Sequence, residues 1–190
     1  MIGRRVFVAG SVAAAALPSL AAKHSPPAPK VGAIRWPGPG HDLHGFMAIP
    51  AKAHGRQPAV LIVPDTSGAD QFALAMTDAL ALAGFVACIP KALASIDDAL
   101  ATVRWLGTNR YSTGKIAAIG LGRGGEMVRQ IDGMAESGLA AAILFGAPPL
   151  TQPEPRTLAL GSVAQLAAAG GDVYDRAWQR VIEFLKEHLT

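Results

Sequence analysis

An intrachain disulfide is excluded, because Cys88 is the sole cysteine in the 190 residues and a crosslink needs two thiols. Aromatic residues make up only 6% of the chain and charged residues 16%. No basic patch interleaved with aromatics is present, so nucleic acid is a poor candidate partner. The net charge of +3 includes Arg4 and Arg5 near the start, and without them the chain is almost neutral.

Hydrophobic residues make up 51% of the chain, which at this length indicates one domain with a packed core. Short apolar runs alternate with amphipathic stretches. Residues 59–63, 85–89, 115–119 and 139–145 are predicted to be strands, and residues 157–160 a short last strand. Residues 45–49 read as an edge strand. The alternation predicts an α/β fold with a mostly parallel sheet of about six strands, covered by helices on both faces.

Four stretches carry apolar residues at helical spacing, namely 70–83, 96–106, 126–134 and 174–189. Ser95 and Asp98 stand at the spacing of a capping box at the start of the second stretch. Asp97 and Asp98 are therefore interpreted as helix-start charges that the helix dipole favours. They are not interpreted as paired catalytic carboxylates.

The first 21 residues have the pattern of a secretory signal peptide. Arg4 and Arg5 precede an apolar stretch, and small residues follow at a cleavage-site spacing. The paired arginines are typical of twin-arginine export, which predicts a periplasmic or secreted protein without a stable membrane span after cleavage. Residues 22–34 are expected to be a Pro-rich linker, and residues 35–190 the folded domain.

A glycine-rich turn between a strand and a helix, at 119–125, is the most informative segment. Gly120, Gly122 and Gly125 fit the dinucleotide fingerprint, in which backbone N–H groups approach a pyrophosphate. That interpretation lacks the acid expected at the end of the next strand. Alternatively, Gly120 and Gly124 flank a nucleophile elbow. The nucleophile position is then Gly122, which has no side chain.

The wider chain resembles the dienelactone hydrolase family of α/β-hydrolases. The similar stretches occur in family order at 45–50, 58–68, 83–90, 97–106, 115–125 and 140–146. The resemblance implies a shortened α/β-hydrolase-like three-layer sandwich and the hydrolysis of small esters or lactones. It implies neither a cofactor nor a metal. Asp65 stands where the family has a glutamate, and Gly122 where the family has cysteine or serine.

A conventional catalytic triad is missing from the places that the resemblance assigns to it. Gly122 offers no nucleophile, the acid after the late strand is absent, and no histidine occurs between His54 and His188. Acyl transfer by a triad needs nucleophile, base and orienting acid in contact. Backbone N–H groups can still form an oxyanion-hole-like pocket at a helix start. The predicted catalytic positions are Gly122, Asp65, Thr66 and the backbone N–H of Arg123, and the predicted ligand-binding positions are Gly120, Gly124, Gly125, Ser67 and Gly68.

The sequence thus predicts an exported hydrolase-like protein with weak activity at most, that is, a pseudoenzyme for triad chemistry. Its expected ligand is a small ester, lactone or carboxylate. The alternatives are a non-catalytic envelope domain that binds an anionic ligand or a protein partner, and a dinucleotide-binding protein. A shortened sheet also predicts homo-oligomer formation through an exposed edge. Cys88 is interpreted as a core residue, and His41 and His44 as surface residues, not metal ligands.

Overall fold

The computed structural model describes residues 27–65, 68–146 and 156–190. The described residues form one seven-stranded sheet, in the order β1-β2-β4-β3-β5-β6-β7. The strands are β1 (Lys30–Pro37), β2 (Asp42–Ile49), β3 (Gln57–Val63), β4 (Val86–Pro90), β5 (Ser112–Leu121), β6 (Leu139–Phe145) and β7 (Thr157–Leu160). β1 and β2 pair antiparallel, as do β2 and β4, while every other neighbouring pair is parallel. The predicted α/β fold with a mostly parallel sheet is confirmed.

Helices cover both faces of the sheet. They are α1 (Gln71–Leu82), α2 (Ile96–Thr108), α3 (Arg123–Asp132), α4 (Val163–Ala168) and α5 (Gly171–Leu189). α2 and α3 pack on one face through a core that includes Leu61 and Val128. α1 and α5 pack on the other face through a core that includes Ile62 and Leu185. Leu61 and Ile62 are neighbours in β3, so the pleat sends their side chains to opposite faces.

The cap predicted at the start of α2 is present as a variant of the capping box, with the reciprocal bond one residue earlier. Ser95 Oγ accepts a hydrogen bond from the backbone N–H of Asp98 at 3.2 Å. Asp98 Oδ2 reaches back to the N–H of Ala94 at 3.0 Å. The carboxylate therefore pairs a backbone donor that precedes the helix, which stabilises the first turn.

The N-terminal part of the domain differs from the prediction in two ways. β1 begins at Lys30, so residues 30–34 belong to the sheet and not to the predicted linker 22–34. β2 was expected at the edge, but it lies between β1 and β4, and the edge strand is β1. Most of β1 is exposed and only Trp36 is fully buried, so no apolar run marks this strand. The sheet accordingly has one strand more than predicted.

The predicted signal peptide, residues 1–21, lies outside the described residues, as does the linker up to residue 26. Among the described residues, no helix is both long enough and apolar enough to cross a bilayer.

Candidate functional site at the β3 and β5 strand ends

The order of the strands predicts that the site lies at the carboxyl ends of β3 and β5. From β3 the chain continues to β4 on one side, and it then crosses back to β5 on the other side of β3. In open parallel sheets, ligands bind at such a reversal, outside the carboxyl ends of the strands. Asp65 follows β3 here and Gly122 follows β5, so both predicted site residues lie at this point.

The backbone at Gly122 has the conformation of a sharp strand-to-helix turn. Its φ is 55° and its ψ is −120°, a combination that side-chain-bearing residues adopt only under strain. The N–H of Gly122 donates to the carbonyl oxygen of Phe145, and its own carbonyl oxygen accepts from Gly125, both at 3.0 Å. The turn therefore ties β5 to the end of β6 and to the first turn of α3.

Two further glycines allow α3 to pack close to the sheet. A Cβ on Gly120 would lie 2.4 Å from the Cα of Gly125. A Cβ on Gly124 would lie 2.4 Å from the carbonyl oxygen of Val63. These backbone atoms cannot move far enough to make room for a side chain, so both positions require glycine. A Cβ on Gly125 would make only ordinary contacts, the nearest at 3.7 Å.

The carboxylate of Asp65 occupies the space that a nucleophile's side chain would take. A Cβ on Gly122 would lie 2.5 Å from Asp65 Oδ2 and 2.8 Å from Asp65 Cγ. Asp65 Oδ1 accepts a hydrogen bond from the backbone N–H of Arg123 at 3.2 Å. This N–H opens α3, where the helix dipole favours a negative charge. The described structure thus places a carboxylate of the chain itself at the start of α3.

Two cavities meet at Asp65. The first, of about 300 Å³, is lined by Asp65, Gly68, Arg123 and Met127, together with residues 92–94. The second, of about 390 Å³, has largely apolar walls. Its lining residues include Phe72, Leu121, Phe145 and Val163, beside Asp65, Gly68, Asp70, Gly122 and Ser162. The site is therefore a carboxylate between a more polar recess and an apolar one.

Solved structures with the same fold include several hydrolases. A dienelactone hydrolase-like promiscuous phosphotriesterase from metagenomic libraries has a TM-score of 0.68 at 16% identity, over 86% of this chain and 100% of its own. An esterase from the hyperthermophilic archaeon Pyrobaculum calidifontis has a TM-score of 0.54 at 23% identity, over 65% of this chain and 48% of its own. At such identities the likeness establishes the fold alone.

Sequence comparison adds a family likeness over part of the chain. Residues 43–95 match the model of the dienelactone hydrolase family. The resemblance to dienelactone hydrolases is confirmed. The dienelactone-hydrolase-like chain is also 34% identical over 65 residues to YghX of Escherichia coli (strain K12), which its name describes as a hydrolase fragment. That alignment covers 33% of this chain and 56% of YghX, so the chain spans little more than half of the relative.

Several positions predicted for the site lie together in this dienelactone-hydrolase-like fold. Asp65, Gly122 and the N–H of Arg123 are in contact, and Gly68 lines both cavities. Thr66 and Ser67, predicted as a catalytic and a ligand-binding position, lie outside the described residues. The N–H of Arg123 was expected to be an oxyanion donor, and it already donates to Asp65.

Sequence reasoning missed several residues that line the apolar cavity. Ser162 is one of them, and it exchanges reciprocal hydrogen bonds with Gln165 at the start of α4. The spacing Ser-x-x-Gln is itself a capping signal and could have located this helix. Asp70 also lines the cavity, but its Oδ1 accepts from the N–H of Ala73 at 2.8 Å as the cap of α1.

Among the described residues, neither a histidine nor a metal-binding cluster accompanies the turn. No histidine lines the two cavities at Asp65. Across residues 27–65, 68–146 and 156–190, no group of three or more His, Cys, Asp or Glu side chains is arranged to hold a metal ion. Cys88 is fully buried in β4, as predicted, and burial raises the pKa of its thiol far above the ordinary value. A thiol in this state is an inert core residue and not a nucleophile.

Proposed function

We propose that this dienelactone-hydrolase-like protein binds a small ester or lactone beside Asp65 and does not hydrolyse it by a triad mechanism. The observation that carries the proposal is the position of the Asp65 carboxylate, 2.5 Å from where a Cβ on Gly122 would be. A nucleophilic side chain at the elbow would have to displace the carboxylate from this position. The site is therefore organised around an acceptor that belongs to the protein.

The charge at the site favours a neutral ligand, or one with a hydrogen-bond donor, over an anion. Acyl transfer stabilises a developing oxyanion through backbone donors. Here the first N–H of α3, from Arg123, already donates to a carboxylate at 3.2 Å. A second negative charge at this point would be repelled by Asp65. The same repulsion argues against a pyrophosphate at the turn, which the dinucleotide interpretation requires.

The apolar cavity suits the hydrocarbon part of such a ligand. Its volume of about 390 Å³ falls within the range of pockets that hold small molecules. Phe72 and Phe145 contribute aromatic surface to its lining, and Asp65 and Gly122 line it as well. A lactone ring placed here would lie against the aromatic side chains, and a hydroxyl on it would reach the carboxylate.

The test combines binding and turnover on the same sample. We expect a small unsaturated lactone to shift the amide NMR signals of Gly122 and Arg123 saturably, and its ring-opened hydroxy acid to bind at least about tenfold more weakly. Turnover of p-nitrophenyl acetate should equal the buffer rate. Asp65→Asn should reverse the preference for the lactone over its ring-opened hydroxy acid. Asp78→Asn, an exposed matched control on α1, should not.

Turnover above the buffer rate would contradict the proposal in an informative way. If Asp65→Asn abolished that turnover and Asp78→Asn did not, Asp65 would be acting as a base toward water, and the protein would be a weak hydrolase. Gly122→Cys alone should gain no activity. Its side chain would meet the Asp65 carboxylate, and no histidine lines the cavities to activate the thiol.

We also propose export through residues 1–21, on the strength of Arg4 and Arg5 before the apolar stretch. The chain expressed in a bacterium with a twin-arginine pathway should accumulate outside the cytoplasm, with a new N-terminus near residue 22. Lysine substitution at both Arg4 and Arg5 should retain it inside. Equal export of the two forms would refute the twin-arginine route.

A further inference from the structure

The apolar cavity beside Asp65 has one lining side chain that can donate a hydrogen bond. Among the described residues of its lining, the polar side chains are those of Asp65, Asp70 and Ser162. An ionised carboxylate accepts hydrogen bonds and cannot donate them, whereas a hydroxyl can do both. Ser162 is therefore the side-chain donor that the described part of the lining offers to a ligand.

Local hydrogen bonds hold Ser162 in place without using its proton. The backbone N–H of Ser162 donates to Gln165 Oε1 at 2.8 Å, and Ser162 Oγ accepts from the N–H of Gln165 at 3.2 Å. Within the described residues, no acceptor takes the proton of this hydroxyl. The residue is half-buried, and a serine hydroxyl rotates to suit its partner. The hydroxyl can therefore donate to a ligand while it still caps α4.

Ser162 lies beside the glycine turn. A Cβ on Gly146 would lie 3.2 Å from Ser162 Cβ and 4.0 Å from the Cα of Gly122. The N–H of Gly146 donates to the carbonyl oxygen of Leu160 at 3.0 Å, which keeps the end of β7 next to the end of β6. Ser162 thus lines the cavity from the β7 side, whereas Asp65 lines it from the β3 side.

We propose that the Ser162 hydroxyl donates a hydrogen bond to the carbonyl oxygen of the bound lactone or ester and so determines which ligands the cavity accepts. This inference rests on the proposed function. A carbonyl oxygen is an acceptor that a carboxylate cannot satisfy, and leaving it without a donor in the cavity would weaken binding. The backbone N–H of Arg123 already donates to Asp65. The site then recognises two features of a ligand, a carbonyl at Ser162 and, where present, a hydroxyl at Asp65.

The first test compares butenolide with dihydrofuran, the same ring without the carbonyl, by NMR titration of the amide signals of Gly122 and Arg123. We expect Ser162→Gly to weaken butenolide binding about three- to tenfold and to leave dihydrofuran binding within about twofold. Glycine is itself a favoured residue at a helix start, so this variant removes the hydroxyl with little effect on α4. Ser162→Thr keeps both the donor and the acceptor and should bind butenolide as the parent protein does.

Ser95→Gly is the matched control. Ser95 caps α2 in the same way, and it lies outside the lining of the cavity, so both affinities should stay unchanged. Equal butenolide affinities of the parent protein and Ser162→Gly would overturn the inference and leave the proposed function standing. An equal loss for both ligands in Ser162→Gly would show a structural role and would also overturn it. If the parent protein bound neither ligand, the proposed function and the inference would fail together.

The second test observes the ligand's carbonyl directly by isotope-edited infrared spectroscopy. A hydrogen bond to a carbonyl oxygen lowers the C=O stretching frequency. Butenolide bound to the parent protein should therefore absorb at a lower frequency than butenolide bound to Ser162→Gly, and Ser162→Thr should restore the parent frequency. The same frequency in the parent protein and Ser162→Gly would refute the contact even if the affinities differed, because a weakened α4 cap could lower the affinity without touching the ligand.

Discussion

The competition between Asp65 and a side chain at position 122 can be measured with a double-mutant cycle on Gly122→Ala and Asp65→Ala. Alanine at 122 must adopt a φ near 55° and a ψ near −120°. Strain of this kind costs about 1–3 kcal/mol. The new methyl group must also displace the carboxylate, whose Oδ2 lies 2.5 Å from the Cβ position.

The displacement should remove the hydrogen bond from the N–H of Arg123 to Asp65. A helix-start acceptor of this kind contributes about 1 kcal/mol. Asp65→Ala alone should therefore cost about 1 kcal/mol, and Gly122→Ala alone about 2–4 kcal/mol. Because both single changes lose the same bond, the double variant should be about 1 kcal/mol more stable than the sum of the two losses predicts.

Urea unfolding followed by circular dichroism gives these free energies, provided that the slope with denaturant stays constant across the four proteins. Asp78→Ala is the control, because Asp78 is exposed on α1 and distant in sequence from the turn. Its cost should add to that of Gly122→Ala within about 0.5 kcal/mol. Additivity between Gly122→Ala and Asp65→Ala would refute the claim that the carboxylate occupies the elbow.

Three further predictions concern residues outside the site. Cys88 should not react with Ellman's reagent until the protein unfolds, because burial raises the pKa of the thiol; rapid labelling of the native protein would contradict its place in the core. Trp36→Phe should cost about 2–4 kcal/mol in urea unfolding, because it removes a buried hydrogen bond of 3.0 Å to Thr102 Oγ1; a loss below about 0.5 kcal/mol would contradict this packing. Hydrogen bonds from Arg129 lower the pKa of Glu126 in the fold from its ordinary 4.5. The contribution of this carboxylate to folding stability is therefore present above pH 4.5 and is lost as the pH falls through the lowered pKa. Carboxyl NMR titration should show that lowered pKa and a return toward 4.5 in Arg129→Gln.

The parts of the fold that the sequence predicted are those with strong local signals. β3 and β6 are continuous apolar runs, which mark strands buried on both faces. α2 combines an apolar stripe with a capping box. β1 has neither signal, because most of its residues are exposed. It is fixed by its pairing with β2, where Trp36 lies opposite Leu43, and this long-range contact leaves no periodic trace in the sequence.

The candidate site shows the same division between local and long-range information. Resemblance and turn composition pointed to Gly122, Asp65 and Arg123 as site positions. Their mutual arrangement could not be predicted, because Asp65 and Arg123 are 58 residues apart along the chain. His41 is exposed, as predicted, but the acid that faces its ring could not be predicted, for a similar reason. The acid adjacent in sequence is Asp42, whereas the acid that faces its ring is Asp98, on a different element.

The glycine at the elbow takes on a different meaning once the carboxylate is placed. Considered alone, Gly122 is a nucleophile position that has lost its side chain. Together with Asp65 it is a position whose side-chain space is already occupied, because the carboxylate fills that space and receives the first N–H of α3. Restoring a nucleophile would then require displacement of the Asp65 carboxylate as well as the addition of a base. Under the proposed function, the empty nucleophile position and the internal acceptor are two aspects of one arrangement that binds hydrogen-bond donors.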